Sequence, residues 1–187
     1  EVPACDAVVG PGNRWVTAAK QLVAGQVAID MLAGPSELVV LADDTADPDT
    51  VAADLLAQAE HDPLAKPILV ALDADLVDAV ATALARRLDT LPTRPTAEPA
   101  LSQGFAVVAT DLDEAVTLCD RIAPEHLEVC VAAHEDVAPR LRHYGGLFVG
   151  GQAAEVLGDY GAGPNHTLPT GGTARSYAGL SVFTFLR

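Results

Sequence analysis

Gln58 and His61 stand three residues apart in Leu55-Leu56-Ala57-Gln58-Ala59-Glu60-His61-Asp62-Pro63. On a helix this spacing puts both side chains on one face. Val51, Leu55, Gln58 and Ala59 follow the core-facing period, so the amide takes a position where an apolar residue is expected. A buried amide must be hydrogen-bonded or must coordinate something. The plainer alternative is a satisfied interior glutamine and a helix-end histidine that favours the negative end of the dipole. A second cluster, Pro124-Glu125-His126-Leu127, sets an acid beside a base just before a strand. Carboxylate and imidazole are the usual proton carriers near neutral pH. Neighbours point apart in an extended chain, which predicts two separate roles rather than one dyad; the alternative is a helix-terminal charge and a packed histidine. The third cluster is the glycine-rich, polar stretch 158–172, either a surface loop or a substrate-binding one. Its Asp159 could join Gln58 and His61 in offering oxygen, nitrogen and oxygen to a divalent cation. Zinc accepts histidine and carboxylate, and catalytic zinc sites leave a position open. His134 and His143 lie in a charged segment and read as solvated.

The elements that must carry these groups alternate. Ala7-Val8-Val9 is a short strand that runs through Gly10-Pro11-Gly12-Asn13 into a helix over residues 14–22. That turn could meet a phosphate at the helix N-terminus, or be an ordinary turn. A second short strand covers residues 27–30, and a domain boundary is expected at Ala33-Gly34-Pro35-Ser36. Residues 1–33 then form the tail of a nucleotide-side α/β domain. Residues 34–187 form the main α/β domain. In the latter, strands are expected at 38–41, 67–72, 105–109, 127–131 and 147–150. Helices are expected from Asp47-Pro48 to His61, over 75–91, from Asp111 to about Ile122, and over 136–143. The proline-rich segment 92–99 reads as a loop. The class is an α/β fold with a mostly parallel, Rossmann-like but incomplete sheet flanked by helices. In such sheets ligands collect beyond the carboxyl ends of the strands, so the site is expected there.

Composition excludes some partners. Among 187 residues the net charge is −15, which argues against nucleic acid or an anionic membrane surface, since both need clustered Lys and Arg. No apolar run approaches the roughly 20 residues that span a bilayer, and no signal-peptide pattern opens the chain. Cys5, Cys119 and Cys130 show no C-x-x-C spacing, which fits a reducing compartment and a cytoplasmic protein.

Gly10-Pro11-Gly12-Asn13, Ala33-Gly34-Pro35-Ser36-Glu37, Ala57-Gln58-Ala59-Glu60-His61-Asp62-Pro63, Ala123-Pro124-Glu125-His126-Leu127, Gly158-Asp159-Tyr160 and Gly163-Pro164-Asn165-His166-Thr167-Leu168-Pro169-Thr170 occur in one order. The series resembles the L-histidinol dehydrogenase family, zinc- and NAD-dependent enzymes that end histidine biosynthesis. The resemblance runs from Val2 to Arg187. It implies that Gln58, His61 and Asp159 are metal ligands and that Glu125 and His126 are the catalytic pair. It implies substrate contacts from Ser36, Gln58, His61, His126 and Asp159, and a cofactor contact from Asn13. His166 is carried over as a further candidate site residue. It implies zinc and NAD as cofactors, L-histidinol as the small-molecule substrate, and a homodimer whose fourth zinc ligand comes from the partner. Family chains are more than twice as long as this one, so the expectation is an internal portion with little or no activity alone. Two other readings fit the same residues: a related zinc/NAD enzyme acting on another polar alcohol such as sulfopropanediol, and a non-catalytic α/β binding module. The Gly-Pro-Asn-His-Thr-Leu-Pro-Thr loop favours histidinol over the other alcohol.

Overall fold

The computed structural model describes residues 3–159, apart from the Asp159 side chain, and 165–186. Its centre is strand β3 (Glu37–Ala42), buried along its whole length because it lies between neighbours and between two helical layers. Before it come β1 (Ala7–Val8), helix α1 (Arg14–Val23) and β2 (Ala28–Ile29), with β1 and β2 forming a separate two-stranded parallel sheet. After it come α2 (Pro48–Ala59), β4 (Lys66–Ala71), α3 (Ala74–Leu88), α4 (Arg94–Leu101), β5 (Phe105–Val108), α5 (Leu112–Ile122), β6 (His126–Cys130), the single turn α6 (His134–Val137) and β7 (Gly146–Val149).

The main sheet is five-stranded in the order β5-β4-β3-β6-β7, and every pairing is parallel. Numbered within this sheet, that is 3-2-1-4-5, the Rossmann-type order with its sixth strand absent among the described residues. The chain reverses direction across the sheet between β3 and β6. Strand alternation divides the core. Val39, Leu41, Leu127 and Val129 pack towards α5, whereas Leu38, Val40 and Ala42 pack towards α2 and α3.

Helix ends follow sequence chemistry. Asp47 caps α2 by accepting from Asp49 N–H and Thr50 N–H, with Pro48 in the first turn. Asp111 caps α5 through Glu114 N–H, while Glu114 reaches back to Thr110 N–H and hydroxyl. In the β1–α1–β2 unit, buried Lys20 binds Asp30 at 2.6 Å and the Gly10 carbonyl at 2.5 Å. Asp30 also accepts from Gly10 N–H and Met31 N–H. This staple fixes the turn that leads into α1.

Three expectations need correction. Segment 92–99 is not a loop, because α4 runs through it. Pro95 sits in the first turn, where a missing N–H costs nothing, and Ala97 and Ala100 bury against Leu56, Ala59 and Ala65. Tertiary packing outweighs the loss at Pro99. The helix expected over 136–143 is a turn of α helix, His134–Val137, followed by a 3-10 turn, Ala138–Arg140. His134 and His143 are half-buried rather than solvated: their Nδ1 atoms lie 3.1 Å from the Val131 carbonyl and 3.2 Å from the Asp120 carbonyl.

Candidate active site

The site lies at the amino ends of β3 and β6, the opposite end of the sheet from the one expected. Ser36 directly precedes β3 and Glu125 directly precedes β6. Helix α2 runs back antiparallel to the strands, so its C-terminal end, with His61 just beyond, returns to the same place. The crossing point is the usual one, between the strands where the chain changes direction, but the end is reversed.

A cleft of about 950 Å³ opens there, lined by Asn13, Ser36, His61, Glu125, His126, Glu155 and His166 among others. The segment 165–180 closes one side. Thr170 Oγ1 accepts from Gly34 N–H at 2.5 Å, and Gly171 N–H donates to Glu37 at 3.1 Å. Glu37 also pairs with Lys66 at 3.0 Å. Asn13 caps α1, accepting from Trp15 N–H and Val16 N–H, and so turns a helix N-terminus towards the cleft. Exposed Trp15, with Arg14 stacked 5.1 Å from its ring centre, flanks it.

Glu125 is set by its surroundings. Helix α5 ends on Ala123 in the left-handed conformation, at φ 52°, a strained geometry for a residue with a Cβ. That turn and Pro124 deliver Glu125 beneath β3, where Oε2 accepts from the Ser36 hydroxyl at 2.6 Å and from Glu37 N–H at 3.2 Å. Burial is the main influence and pushes the carboxyl up to about 7; those two donors pull it down, and the charges of Glu155 and Glu37 push it further up. His126 is the first residue of β6. Its Nδ1 lies 3.7 Å from Glu125 Oε2 and its Nε2 lies 3.5 Å from Glu155 Oε1. The Phe148 ring is 6.1 Å away, centre to centre. Glu125 and His126 therefore converge, contrary to the expectation of separate directions, because Glu125 lies before the strand where the pleat has not yet begun.

Gln58 is fully buried on α2 and does not line the cleft. Neither its Oε1 nor its Nε2 has a hydrogen-bond partner among the described residues. The Asp159 side chain lies outside the described residues; its backbone ends the 3-10 turn Glu155–Asp159. Among the described residues no cluster of three or more His, Cys, Asp or Glu side chains could hold a metal.

Sequence reasoning passed over Glu155, Glu128 and Asp54. Glu128 lies on the α2 side of β6, is 1% exposed, and accepts from Glu155 N–H at 2.7 Å. It lies within hydrogen-bond reach of Asp54; burial is the main influence and raises both carboxyls, with the Asp54 charge pushing Glu128 further up while the hydrogen bond between them pulls Asp54 down. A charge in the otherwise apolar run Leu127-Glu128-Val129 of a buried strand was the available signal.

Comparison with known proteins gives a consistent result. The family model described as "Histidinol dehydrogenase" matches residues 1–187. The chain is 54% identical over 183 residues to a histidinol dehydrogenase of Geobacillus kaustophilus, covering 97% of this chain and 43% of that protein. It is 51% identical over 187 residues to one of Parasynechococcus marenigrum, covering 100% of this chain and 43% of that protein. The crystal structure of histidinol dehydrogenase from Elizabethkingia anophelis superposes with a TM-score of 0.92 at 41% identity, covering 96% of this chain and 42% of that one. The chain thus spans less than half the length of the relatives it matches.

Proposed function

Because this chain belongs to the histidinol dehydrogenase family, we propose that its cleft serves the oxidation of L-histidinol through the aldehyde to L-histidine, with NAD and zinc as cofactors. The observation that carries this reading is the meeting of Ser36, Glu125 and His126 at one end of β3 and β6. An alcohol releases hydride readily only as its hydroxyl proton leaves, and an imidazole held beside the alcohol accepts that proton. His126 takes this role. The aldehyde must then be hydrated before a second oxidation. Glu125, drawn towards neutral pH by burial, takes a proton from the attacking water. Ser36 keeps Glu125 Oε2 in place through its hydroxyl and contacts the substrate.

The zinc fit rests on Gln58. A buried carboxamide with no partner costs about 1–3 kcal/mol, and a ligating role for its oxygen would remove that cost. Gln58, His61 and Asp159 would hold the ion, which when bound supplies substrate orientation and polarisation of the alcohol oxygen. Asn13 and the α1 N-terminus fit an anionic dinucleotide, which supplies the hydride acceptor. Gln58, His61, His126 and Asp159 also contact the substrate in this reading, with His166 at the cleft wall. Exposed Val182, Phe183, Phe185 and Leu186 support pairing of two copies, with a partner ligand completing the zinc site. Two structural units, 1–33 and 34–187, fit the separate sheets. No helix among the described residues is long and apolar enough to cross a membrane.

The test is histidinol-dependent NADH formation by the longest natural polypeptide that contains this chain, yielding twice as much NADH as histidinol consumed. Preferential oxidation of sulfopropanediol, or of no alcohol, would overturn the reading. The same assay on the 187-residue chain tests the expectation that it turns over little substrate alone.

A further inference from the structure

The α2 side of β6 holds a row of polar groups that the proposed mechanism does not use. Glu128 Oε2 is fully buried and meets no N–H or O–H donor among the described residues. Its neighbour is the Asp54 carboxyl, one helical turn before Gln58. Burial raises both carboxyls, which favours holding one of these two adjacent groups neutral. The other oxygen, Oε1, binds Glu155 N–H at 2.7 Å. Glu155 is thereby fixed at the start of its 3-10 turn, with Oε1 3.5 Å from His126 Nε2 and its side chain almost buried.

We propose that Glu155 is a positioning residue for His126: its carboxylate orients the imidazole from the Nε2 side and stabilises the imidazolium formed when His126 takes a proton. The arrangement is the carboxylate–imidazole pair that a general base needs, where the acid holds the ring rather than receiving the proton itself. The role rests on the reading of His126 as a base. Among the described residues, the titratable groups nearest the imidazole are Glu125 before the same strand and Glu155 from the turn after β7, with Glu128 on the same face of β6. Farther round stand Glu37 at the start of β3, paired with Lys66, Asp54 on α2, and the cleft histidines His61 and His166. Glu125 cannot replace Glu155. It binds Ser36 and Glu37 N–H, and burial leaves it partly protonated near neutrality.

The test is NMR titration of protein labelled with ¹⁵N-histidine, with the His126 signal identified by its loss in His126→Gln. Glu155→Gln keeps shape and removes charge, and it should lower the His126 midpoint by roughly 1 pH unit. Glu128→Gln keeps the acceptor for Glu155 N–H and leaves the midpoint in place. An unmoved midpoint in Glu155→Gln, with the other histidine signals native, overturns the proposal. So does an equal fall in Glu128→Gln, which would trace the field to the buried pair. If Glu155→Gln fails to fold, Glu155→Asp should move the midpoint part of the way, and no movement there counts equally against it. In the full-length enzyme, kcat should fall roughly tenfold with its ascending pH limb shifted the same way and KM unchanged. A simple structural defect would not move that limb. A shifted midpoint in a protein that oxidises no alcohol would uphold the pairing and sink the functional reading instead.

Discussion

The two faces of β6 are built on opposite terms. Towards α5, Leu127 and Val129 are fully buried among the apolar side chains of Val39, Leu41, Ala115 and Cys119. Towards α2, the same strand offers His126 and Glu128, answered by Asp54, Gln58 and Glu155. The dry face contributes stability through apolar burial. The polar face gives up part of that stability, since each group there needs a proton, a hydrogen bond or a ligand to offset desolvation. A strand buried on both faces is the most rigid carrier the fold has, and its alternation lets one side hold the frame while the other holds chemistry. Loops around the site then have only to close it.

The largest break in that contrast comes from the dry face. Leu127→Ala deletes a fully buried side chain between β3 and α5 and should cost about 3 kcal/mol, within the usual 2–5 for such changes. Urea unfolding should show a lower midpoint at an unchanged slope. A loss below about 1 kcal/mol would mean that the face is not the frame described.

The polar face should give the reverse. His126→Asn in the full-length enzyme should cut turnover by roughly a hundredfold or more while shifting the urea midpoint little. Gln58→Ala or His61→Ala should reduce metal content first, read by atomic absorption. Full turnover in His126→Asn would remove His126 from the chemistry and leave the polar face without a purpose.

What the sequence conveyed and what it concealed divide along the same line. The parallel α/β frame was legible because strand runs such as Leu38-Val39-Val40-Leu41 and caps such as Asp47-Pro48 are local signals. Helix α4 was not, because two prolines outweigh alanines whose value appears only once Leu56 and Ala65 lie beside them. The end of the sheet used by the site was also hidden. Ser36 and Glu125 lie 89 positions apart, and their 2.6 Å contact depends on β3 and β6 being neighbours, which no short window reveals. Glu155 was passed over because its partner His126 is reached only by the chain folding back from β7.

Glu125 sharpens the contrast through pH. Its folded value, about 7, is above the ordinary 4.5, chiefly because burial disfavours the charge. Between these values the folded state holds a proton that the unfolded chain has released, so stability falls as pH rises. The favourable contribution is complete below about 4.5 and is lost as pH climbs through about 7. Glu125→Gln removes the titration while keeping an acceptor for the Ser36 hydroxyl. It should match the parent near pH 4 and be more stable near pH 8, by on the order of 3 kcal/mol at most. Equal stabilities across that range would place Glu125 in contact with water, outside the buried row.

The smallest effect isolates the dry face from the chemistry altogether. Asp111 accepts Glu114 N–H at 2.8 Å and caps α5, the helix that covers Leu127 and Val129. Asp111→Ala should cost about 1 kcal/mol, the usual value of an N-cap, and the reach of Glu114 back to Thr110 N–H limits the loss. Since α5 ends at Ala123, whose left-handed turn delivers Glu125, fraying could in principle travel down the helix to the site. It should not, because the cap lies three turns away and Ala115, Val116 and Cys119 anchor the helix between the two ends. Turnover at a temperature well below unfolding should therefore be unchanged within twofold. A larger fall in kcat at full folding would show that the frame and the chemistry are coupled through α5, and the separation of the two faces would then hold for packing but not for function.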